Sequence, residues 1–580
     1  MRFHLPRTLL VLAAAAVVAP AAPAKQQPPP QTEPPSAVGQ AAAEQGAFFE
    51  SVNVDLVNVD VFVTDKAGNP IKGLKQADFQ LLEDGHPVTV TNFYAVDEST
   101  KRTIPSAALP PPVPAPGASP LPAPELVPED QRLYLVVYID NFNIRPFNRN
   151  RVFQRLRGWL DRNITPLDKV MLVTYNRSFK ERVSFTSDPL LVNGVLFDIE
   201  KETGFNEHRE SDRRDVLQAI DDADNPNQVI GQVRAYAGAL YNDTQFSIDA
   251  IKGLVSSLGG LPGRKAILYV SEGLPQVSAQ DIFQMINEKF HESSVLMESH
   301  EYDASRRFNE LAAQANANRV TFYTIDAAGL RTLSSSSAET RSAGTPGAAA
   351  FVDSQNIYNL QAPLLQLAEE TGGKAIINTN DVGPQLDAVG RDLRSYYSLG
   401  YQPAHAGDGR YHRIEIKLTN KAKGVRVRHR TGYRDKPLEQ RMTDTTMASL
   451  LFGELGNPLG VTLAFGQPTM REDGNAMVPI HLSIPLEKVT LVPQQENQEG
   501  RLRAFLAVMD DQGGISPVQV APISIKIPTA HLAQAREKGW GYDVTLLMRE
   551  GRQKVAVGLR DDLGGVSSYV SGGILVGGGR

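Results

Sequence analysis

The chain has 580 residues, of which 41% are hydrophobic and 21% charged, and it is too long for one ordinary domain. Its formal net charge of -6 gives no overall reason to expect a polyanionic partner such as nucleic acid. Cysteine is absent, which excludes disulfides, thiolate metal sites and a lipid-modified cysteine.

The first 24 residues are typical of a secretory signal peptide. Arg2 and Arg7 precede an apolar run over residues 8–19, and residues 22–24 are small enough for cleavage after Ala24. The alternative, a membrane anchor, is disfavoured because the run is shorter than the roughly 20 residues that span a bilayer. We therefore expect an exported protein, periplasmic or extracellular, with no transmembrane segment after signal cleavage.

The next three segments are distinguished by composition. Residues 25–47 are rich in Pro, Gln and Ala, which predicts a disordered tether. Residues 48–98 alternate apolar and polar side chains, as in VNVDVFVT, and this period of two predicts a small β-sandwich. A second Pro-rich run over 99–131 predicts a semi-rigid linker.

Between residues 132 and 402, short apolar runs alternate with helical stripes. The apolar runs are LYLVVYID, KVMLVTY, AILYVSEG and VTFYTID, and stripes such as Val152 and Leu156 lie between them. This alternation predicts an α/β domain with a doubly wound, mostly parallel sheet and helices on both faces. The charged segment 203–228 and the low-complexity segment 334–350 are expected to be surface loops.

The remaining segments return to a β pattern. YHRIEIKL and VRVRHR, within residues 403–436, predict appended β-strands. The alternating arginines of this region predict a solvated strand face, with binding to an acidic surface as the alternative; they are Arg426, Arg428, Arg430 and Arg434. From residue 450 to residue 580, short strands joined by turns predict a second antiparallel β-sandwich.

Two acidic residues stand at the ends of apolar strands. Asp140 ends LYLVVYID, and Glu272 follows Ser271 in YVSEGLP. Ligands of open α/β sheets bind beyond the carboxyl ends of the strands, so these side chains are candidates for a site. Strands that end in this way resemble those of the von Willebrand factor type A domain.

Longer phrases carry a closer resemblance. They occur in the order VFVTDKAGNPIKGLKQADFQLLEDG, VVYIDNFN, LPGRKAILYVSEGLP, SYYSLGYQP and RHRTGYR. The chain resembles the secreted bacterial proteins of the VWFA-related acidobacterial domain family over residues 52–434, and the closing VAVGLRDDLGG is similar to the end of some members. The resemblance implies a von Willebrand factor A-like domain flanked by N-terminal and C-terminal β-sandwich modules.

The resemblance also implies a metal-ion-dependent adhesion site. In that site an Asp-x-Ser-x-Ser motif, a Thr from a second loop and an Asp from a third loop hold a divalent cation. Asp140 matches the first position, but Phe142 and Ile144 stand at the two serine positions, and Glu272 replaces the third Asp. Because these two side chains offer no oxygen to Mg²⁺, the expected site is degenerate.

Two alternatives for this site follow. In the first, neighbouring oxygens compensate, and the metal ligands are Asp140, Asn141, Asn143, Ser271 and Glu272, with Thr203 or Thr244 as the second-loop Thr. In the second, no cation binds: Asp140 caps the next turn, and Glu272 pairs with a nearby base such as Arg145 or Lys265.

The function implied by the resemblance is non-enzymatic protein binding, in adhesion or in assembling an envelope complex. The sequence has no Gly-x-Ser-x-Gly elbow, P-loop or dinucleotide fingerprint after a strand, and no catalytic residue is assigned. Two alternatives stay open: a secreted hydrolase that uses Asp140 and Glu272 for acid/base work, and a purely structural envelope spacer. No cofactor is expected other than the divalent cation.

Overall fold

The computed structural model describes residues 56–97, 132–203, 206–331, 346–405, 407–419, 424–453 and 455–577. The predicted signal peptide, tether and Pro-rich linker lie outside the described residues, as do residues 48–55 of the first predicted β module. Among the helices that are described, none has both the length and the apolar composition needed to cross a membrane.

Four strands come first in the chain: β1 (Val57–Thr64), β2 (Phe79–Glu83), β3 (His86–Val88) and β4 (Asn92–Val96). Alternate valines of β1 are buried, as the period-two pattern predicts. The β2–β3 hairpin turns at Asp84 and Gly85, whose φ angles are 49° and 83°. Positive φ at both positions matches the twist of a tight hairpin, which Asp-Gly allows at little cost.

Helices and strands then alternate. The strands are β5 (Leu133–Asp140), β6 (Lys169–Tyr175), β7 (Phe179–Thr186), β8 (Arg264–Ser271), β9 (Val320–Asp326) and β10 (Lys374–Ile376). The helices are α1 (Pro146–Asn163), α2 (Pro189–Ile199), α3 (Asn206–Asp222), α4 (Ile230–Leu258), α5 (Gln280–Phe290), α6 (Ser294–Ser299), α7 (Ser305–Ala317), α8 (Pro346–Glu370) and α9 (Gly383–Arg394).

The six strands form one sheet in the order β10-β9-β8-β5-β6-β7. All neighbouring pairs are parallel except β6 and β7, which are antiparallel at one edge. Counted along the chain from β5, this is the order 3-2-1-4-5-6 of a doubly wound sheet, with β7 as strand 3. The predicted mostly parallel sheet is therefore confirmed.

Each face of the sheet has its own apolar core. Leu135, Val137 and Ile139 of β5 pack with side chains of α1, α2 and α9. Val136 and Tyr138 pack on the other face with side chains of α4, α7 and α8. Because successive side chains of a strand point to opposite faces, a continuous apolar run is what a sheet covered on both sides requires.

Four further strands follow: β11 (Tyr396–Tyr401), β12 (Tyr411–Leu418), β13 (Arg426–Arg428) and β14 (Gly432–Arg434). They pair with the first four strands in two sheets, β13-β1-β11-β4 and β14-β12-β2-β3. Buried side chains from residues 57–90 and from residues 397–433 form one apolar cluster. The strands near the start of the chain therefore share both sheets with strands from residues 396–434, which differs from the self-contained small β-sandwich expected over 48–98. The strands predicted over 403–436 as appended strands are part of these two sheets.

The last region begins with α10 (Leu438–Phe452). Its other elements are β15 (Thr462–Phe465), β16 (Thr469–Met470), β17 (Asn475–Ile484), β18 (Val492–Gln494), β19 (Asn497–Met509), β20 (Gln519–Pro528), α11 (Leu532–Lys538), β21 (Trp540–Arg549), β22 (Gly551–Asp561) and β23 (Ser567–Val576). One sheet contains β15, β16, β17 and β21, the other contains β18, β19, β20, β22 and β23, and both contribute to one core.

The charged segment 203–228 was predicted to be a surface loop, and this prediction is wrong because most of the segment forms α3. Val216 and Ile220 are buried and pack in one cluster with side chains of α4 and α5. Two apolar residues four positions apart lie on the same face of a helix, and the surrounding charges concealed this signal. Of the low-complexity segment, residues 346–350 belong to α8, and residues 334–345 lie outside the described residues.

The arginine-rich strand is also less solvated than expected. Arg428 donates to the carboxylate of Asp392 at 2.7 Å and to the carbonyl oxygen of Gly373 at 2.9 Å. Arg430 is half-buried and donates to two backbone carbonyls. Arg426 and Arg434 are exposed. The prediction of a solvated face is therefore wrong for the middle of the run.

Candidate functional site at the carboxyl edge of the sheet

Three parallel strands bring acidic or hydroxyl side chains to the same edge of the sheet. β5 ends at Asp140, β8 at Ser271 and β9 at Asp326. Ser271 is directly opposite Asp326 in the parallel register. The carboxyl ends of the strands in a doubly wound sheet form its usual binding edge, so this edge is the candidate functional site.

The carboxylate of Asp140 is the centre of a buried hydrogen-bond network. Its side chain is 1% exposed. It accepts hydrogen bonds from the Tyr269 hydroxyl at 2.6 Å and from the Ser271 hydroxyl at 3.0 Å. The Asn143 amide side chain donates at 3.0 Å, and the Asn143 backbone N–H at 3.2 Å. Asp140 therefore fixes the turn that leads from β5 toward α1.

Burial raises the pKa of Asp140 above its usual value, and the hydrogen bonds from Tyr269, Asn143 and Ser271 offset this shift only in part. Burial beside this carboxylate also raises the pKa of Tyr269 well above its usual value, so Tyr269 remains a proton donor. The network thus holds a carboxyl group away from water by surrounding it with donors.

Asn141 and Glu272 lie near Asp140 in sequence or register, but each serves another partner. The oxygen of the Asn141 side chain accepts from the guanidinium of Arg149 at 3.0 Å, and Arg149 is fully buried. Glu272 accepts from the Arg145 backbone N–H at 2.8 Å and from the Asn148 side chain at 2.8 Å. The site residues therefore divide into an Asp140 network and a Glu272 cap at the start of α1.

The two bases proposed as partners for Glu272 lie at different places. The Arg145 side chain approaches Glu272 to 3.9 Å, at the edge of ion-pair distance. Lys265 lies at the opposite end of β8 and donates to the carbonyl oxygen of Leu261. Of the two, Arg145 is the base beside Glu272, and it contributes mainly through its backbone N–H.

The positions that carry serine in an intact adhesion site are apolar and buried. Phe142 packs edge-on against Tyr175, and Ile144 joins the core beneath α1. Of the two candidate threonines, Thr203 is exposed. Thr244 is buried within α4, and its hydroxyl donates to the carbonyl oxygen of Leu240 at 2.9 Å.

Asp326 and Ser247 are among the polar groups of this edge that were not predicted from the sequence. Asp326 is buried, pairs with Arg331 at 2.9 Å and accepts from Gln361 at 2.8 Å. Ser247 of α4 lies 3.4 Å from the Asn143 side chain. Asp326 ends the run VTFYTID as Asp140 ends LYLVVYID, so the signal for it was present in the sequence. Ser247 had none, because only the packing of α4 brings it to the edge.

This donor set does not fit Mg²⁺, which takes near-octahedral oxygen ligands at about 2.0–2.1 Å. Among the predicted ligands, Asp140 already accepts from three side chains, and Asn143 turns its amide nitrogen toward it. The Asn141 oxygen faces a guanidinium, which would repel a cation. The structure brings Asp140, Asn143 and Ser271 together, but it directs Asn141 and Glu272 to other groups. The predicted ligand set is therefore only partly assembled, and a bound cation stays a prediction.

Comparisons with known proteins identify no family. Neither a protein-family model nor a curated protein matches the chain. Solved structures with a similar arrangement include BatB from Bacteroides thetaiotaomicron, 9% identical, with 45% of this chain and 97% of that chain covered at a TM-score of 0.22. The manganese-loaded TRAP protein of Plasmodium vivax is 9% identical over 52% and 93%, with a TM-score of 0.21.

A third solved structure is an aerotolerance-related membrane protein from Bacteroides fragilis, 11% identical, with 45% of this chain and 98% of that chain covered at a TM-score of 0.22. TM-scores this low support no argument about function. The α/β architecture accordingly rests on the strand order and pairing of the chain itself.

Proposed function

We propose that this chain is an exported, non-enzymatic protein-binding protein that recognises its partner at the carboxyl edge of the sheet. The domain is von Willebrand factor A-like with a degenerate metal-ion-dependent adhesion site, and its role is adhesion or assembly of an envelope complex. The observation that carries the proposal is a group of large apolar side chains exposed around this edge.

Three of these side chains come from different loops and elements. Phe147, at the start of α1, is 78% exposed, and Leu330, in the loop after β9, is 61% exposed. Phe179, which pairs opposite Tyr175 at the end of β6, is 43% exposed. Exposed aromatic and aliphatic side chains of this size favour a protein interface when they lie together.

Contacts with Glu272 tie the segments that carry two of them to the same residue. Phe147 lies between Arg145 and Asn148, both of which donate to the Glu272 carboxylate. Leu330 precedes Arg331, whose guanidinium donates to the Glu272 carbonyl oxygen at 2.6 Å. The backbone around Glu272 therefore positions an aromatic and an aliphatic side chain at the same edge.

Acid/base chemistry is the less favoured reading of this edge. A raised pKa at Asp140 is one property of a catalytic acid. Such an acid must also reach a substrate, whereas the oxygens of Asp140 are enclosed by Tyr269, Ser271 and Asn143. The arrangement favours a structural role for Asp140 over a hydrolase.

The test is a quantitative capture experiment with the immobilised mature protein and an envelope extract of the source cells. Proteins retained by the parent are compared with those retained by the Phe147→Ser/Leu330→Ser double variant. Leu575→Ser on β23 is the matched control, since Leu575 is also 61% exposed but lies in the last region of the chain.

We expect a partner that the parent and the control retain and the double variant loses. Equal retention by all three proteins would contradict the proposal. No retained protein at all would favour the structural spacer, and turnover of a substrate that depends on Asp140 would favour the hydrolase.

A further inference from the structure

A cavity of about 570 Å³ lies at the amino ends of β8 and β9, opposite the edge that carries Asp140. Its walls come from the turn before β8, the turn before β9, strand β14, helix α10 and the start of β23. This volume lies within the range of small-molecule sites in proteins. Because the cavity lies at the opposite end of these strands, a ligand there is independent of the function proposed for the carboxyl edge.

Positive charge is in excess in this cavity. Two acidic side chains line it, and each has a basic partner: Asp435 pairs with His405 at 3.0 Å and Asp444 with Lys436 at 2.6 Å. Six cationic side chains line it, namely Lys265, Arg319, Arg430, Arg434, Lys436 and Arg441. The lining thus carries more positive charge than its own carboxylates neutralise.

Lys265 is the most deeply buried of these cations, with only 4% of its surface exposed. Its ammonium donates to the carbonyl oxygen of Leu261 at 2.8 Å, and within the described part of the chain it forms no ion pair. The adjacent Arg264 differs, because it pairs with Asp60 at 2.8 Å and stacks on the ring of Tyr396. A buried ammonium without a counter-ion is costly, so it requires an explanation.

The neighbouring cations increase that cost. Burial lowers the pKa of Lys265 well below its usual value, and Arg319, Lys436 and Arg430 lower it further, while Asp444 offsets this in part. Burial, followed by the proximity of Arg319, also lowers the pKa of Arg430 to about 10. A bound anion would favour the charged form of each of these groups.

Arg430 is held in place by carbonyl groups rather than carboxylates. It donates to the backbone oxygens of Asn316 at 3.1 Å and Asn58 at 2.9 Å. These bonds fix the position of the guanidinium without neutralising its charge. Among the described residues, neither Arg430 nor Arg319 has an ion-pair partner, so both remain available to an anionic ligand.

We propose that this cavity binds a phosphate-type oxyanion, either free or as the terminal group of a small organic molecule. A phosphate carries about -1.5 to -2 charge at neutral pH and three acceptor oxygens, which matches a cluster of lysine and arginine donors. Lys265, Arg319 and Arg430 would supply these donors. Room for an organic part is bordered by apolar side chains, namely Leu261, Pro262, Leu455 and Pro458.

Isothermal titration calorimetry of the full mature chain tests this site, with inorganic phosphate and phenyl phosphate as probes and sodium chloride at matched ionic strength as the blank. We expect saturable binding to the parent. In Lys265→Met the affinity should be lower by at least about tenfold, because a charged hydrogen bond is lost. Lys526→Met is the matched control, because Lys526 is an exposed lysine on β20. The affinity of this variant for both probes should equal that of the parent.

The melting temperature without ligand serves as a second measurement. Methionine replaces a buried amine that has no ion-pair partner among the described residues by an apolar side chain of similar length, so Lys265→Met should melt at or above the parent temperature. If this variant fails to fold, Arg319→Gln takes its place in the titration and should show the same loss of affinity.

Each outcome decides the proposal. Tighter binding of phenyl phosphate than of inorganic phosphate identifies an organic ligand, whereas equal binding identifies the free oxyanion, and both support the site. No saturable binding of either probe overturns it. Unchanged affinity in Lys265→Met and in Arg319→Gln overturns it as well, since the oxyanion would then bind elsewhere.

Discussion

Replacing Asp140 by alanine tests whether this carboxylate is a structural centre of the carboxyl edge. The substitution leaves the Tyr269 hydroxyl, the Ser271 hydroxyl and the Asn143 amide without their common acceptor. Removing one member of a buried charged network typically costs about 3–5 kcal/mol. Removing one donor, as in Tyr269→Phe, should cost about 1.5–3 kcal/mol, the range for a hydrogen bond to a charged group.

Differential scanning calorimetry of the mature protein in EDTA is the assay. One kcal/mol corresponds to about 2–4 °C in a domain of this size, so Asp140→Ala should lower the melting temperature of the α/β transition by roughly 10 °C. Tyr269→Phe should give a smaller fall of the same transition. A loss below about 1 kcal/mol for Asp140→Ala would show that Asp140 is not the structural centre of this edge, and so would a loss that occurs only when Mg²⁺ is added.

Two further predictions concern stability. Gly273 has a φ of 96°, and a Cβ there would lie 2.4 Å from the carbonyl oxygen of Leu360; thermal unfolding should therefore show Gly273→Ala destabilised by about 1–3 kcal/mol. Burial alone would lower the pKa of His412, but its hydrogen bonds to Asp84 and Asp408 outweigh burial and raise it. A raised folded-state pKa stabilises the fold below about pH 6.5, and the contribution is lost as pH rises through the folded value. The melting temperature of the parent should thus fall as pH rises above 6.5, and it should fall less in His412→Gln; an equal fall in both would exclude His412 as the cause.

The α/β sheet could be predicted because its signal is local. Every residue of LYLVVYID is buried, and a run without polar interruption indicates a strand covered on both faces. The ends of these runs also indicated the candidate edge, since parallel strands end together. Asp140 and Ser271 were found in this way, and the same reasoning extends to Asp326.

The pairing of the outer strands could not be predicted from the same pattern. Val59 lies opposite Leu399 in the register of β1 with β11. Such pairs are separated by more than three hundred residues, and a period of two marks a strand without naming its partner. The position of Ser247 beside Asn143 likewise depends on the packing of α4 and not on any motif.

The details of the candidate site could be predicted only in part from the sequence. The sequence indicated that Phe142 and Ile144 would weaken a cation site, but it did not show which groups satisfy Asp140 instead. Tyr269 is two residues before Ser271 on the same strand, so its side chain lies on the same face of β8. That alternation was a usable signal for the donor that makes the shortest bond to Asp140.

Metal-independent recognition at the carboxyl edge is tested by the affinity of the captured partner for the parent protein, measured in EDTA and again in millimolar Mg²⁺. We expect equal affinity in both buffers and, in Phe147→Ser/Leu330→Ser, an affinity that is lower by at least about tenfold, because apolar anchors are lost. Binding that requires Mg²⁺ and is lost in Asp140→Ala, while the double variant still binds like the parent, would contradict this expectation and would establish cation-dependent recognition.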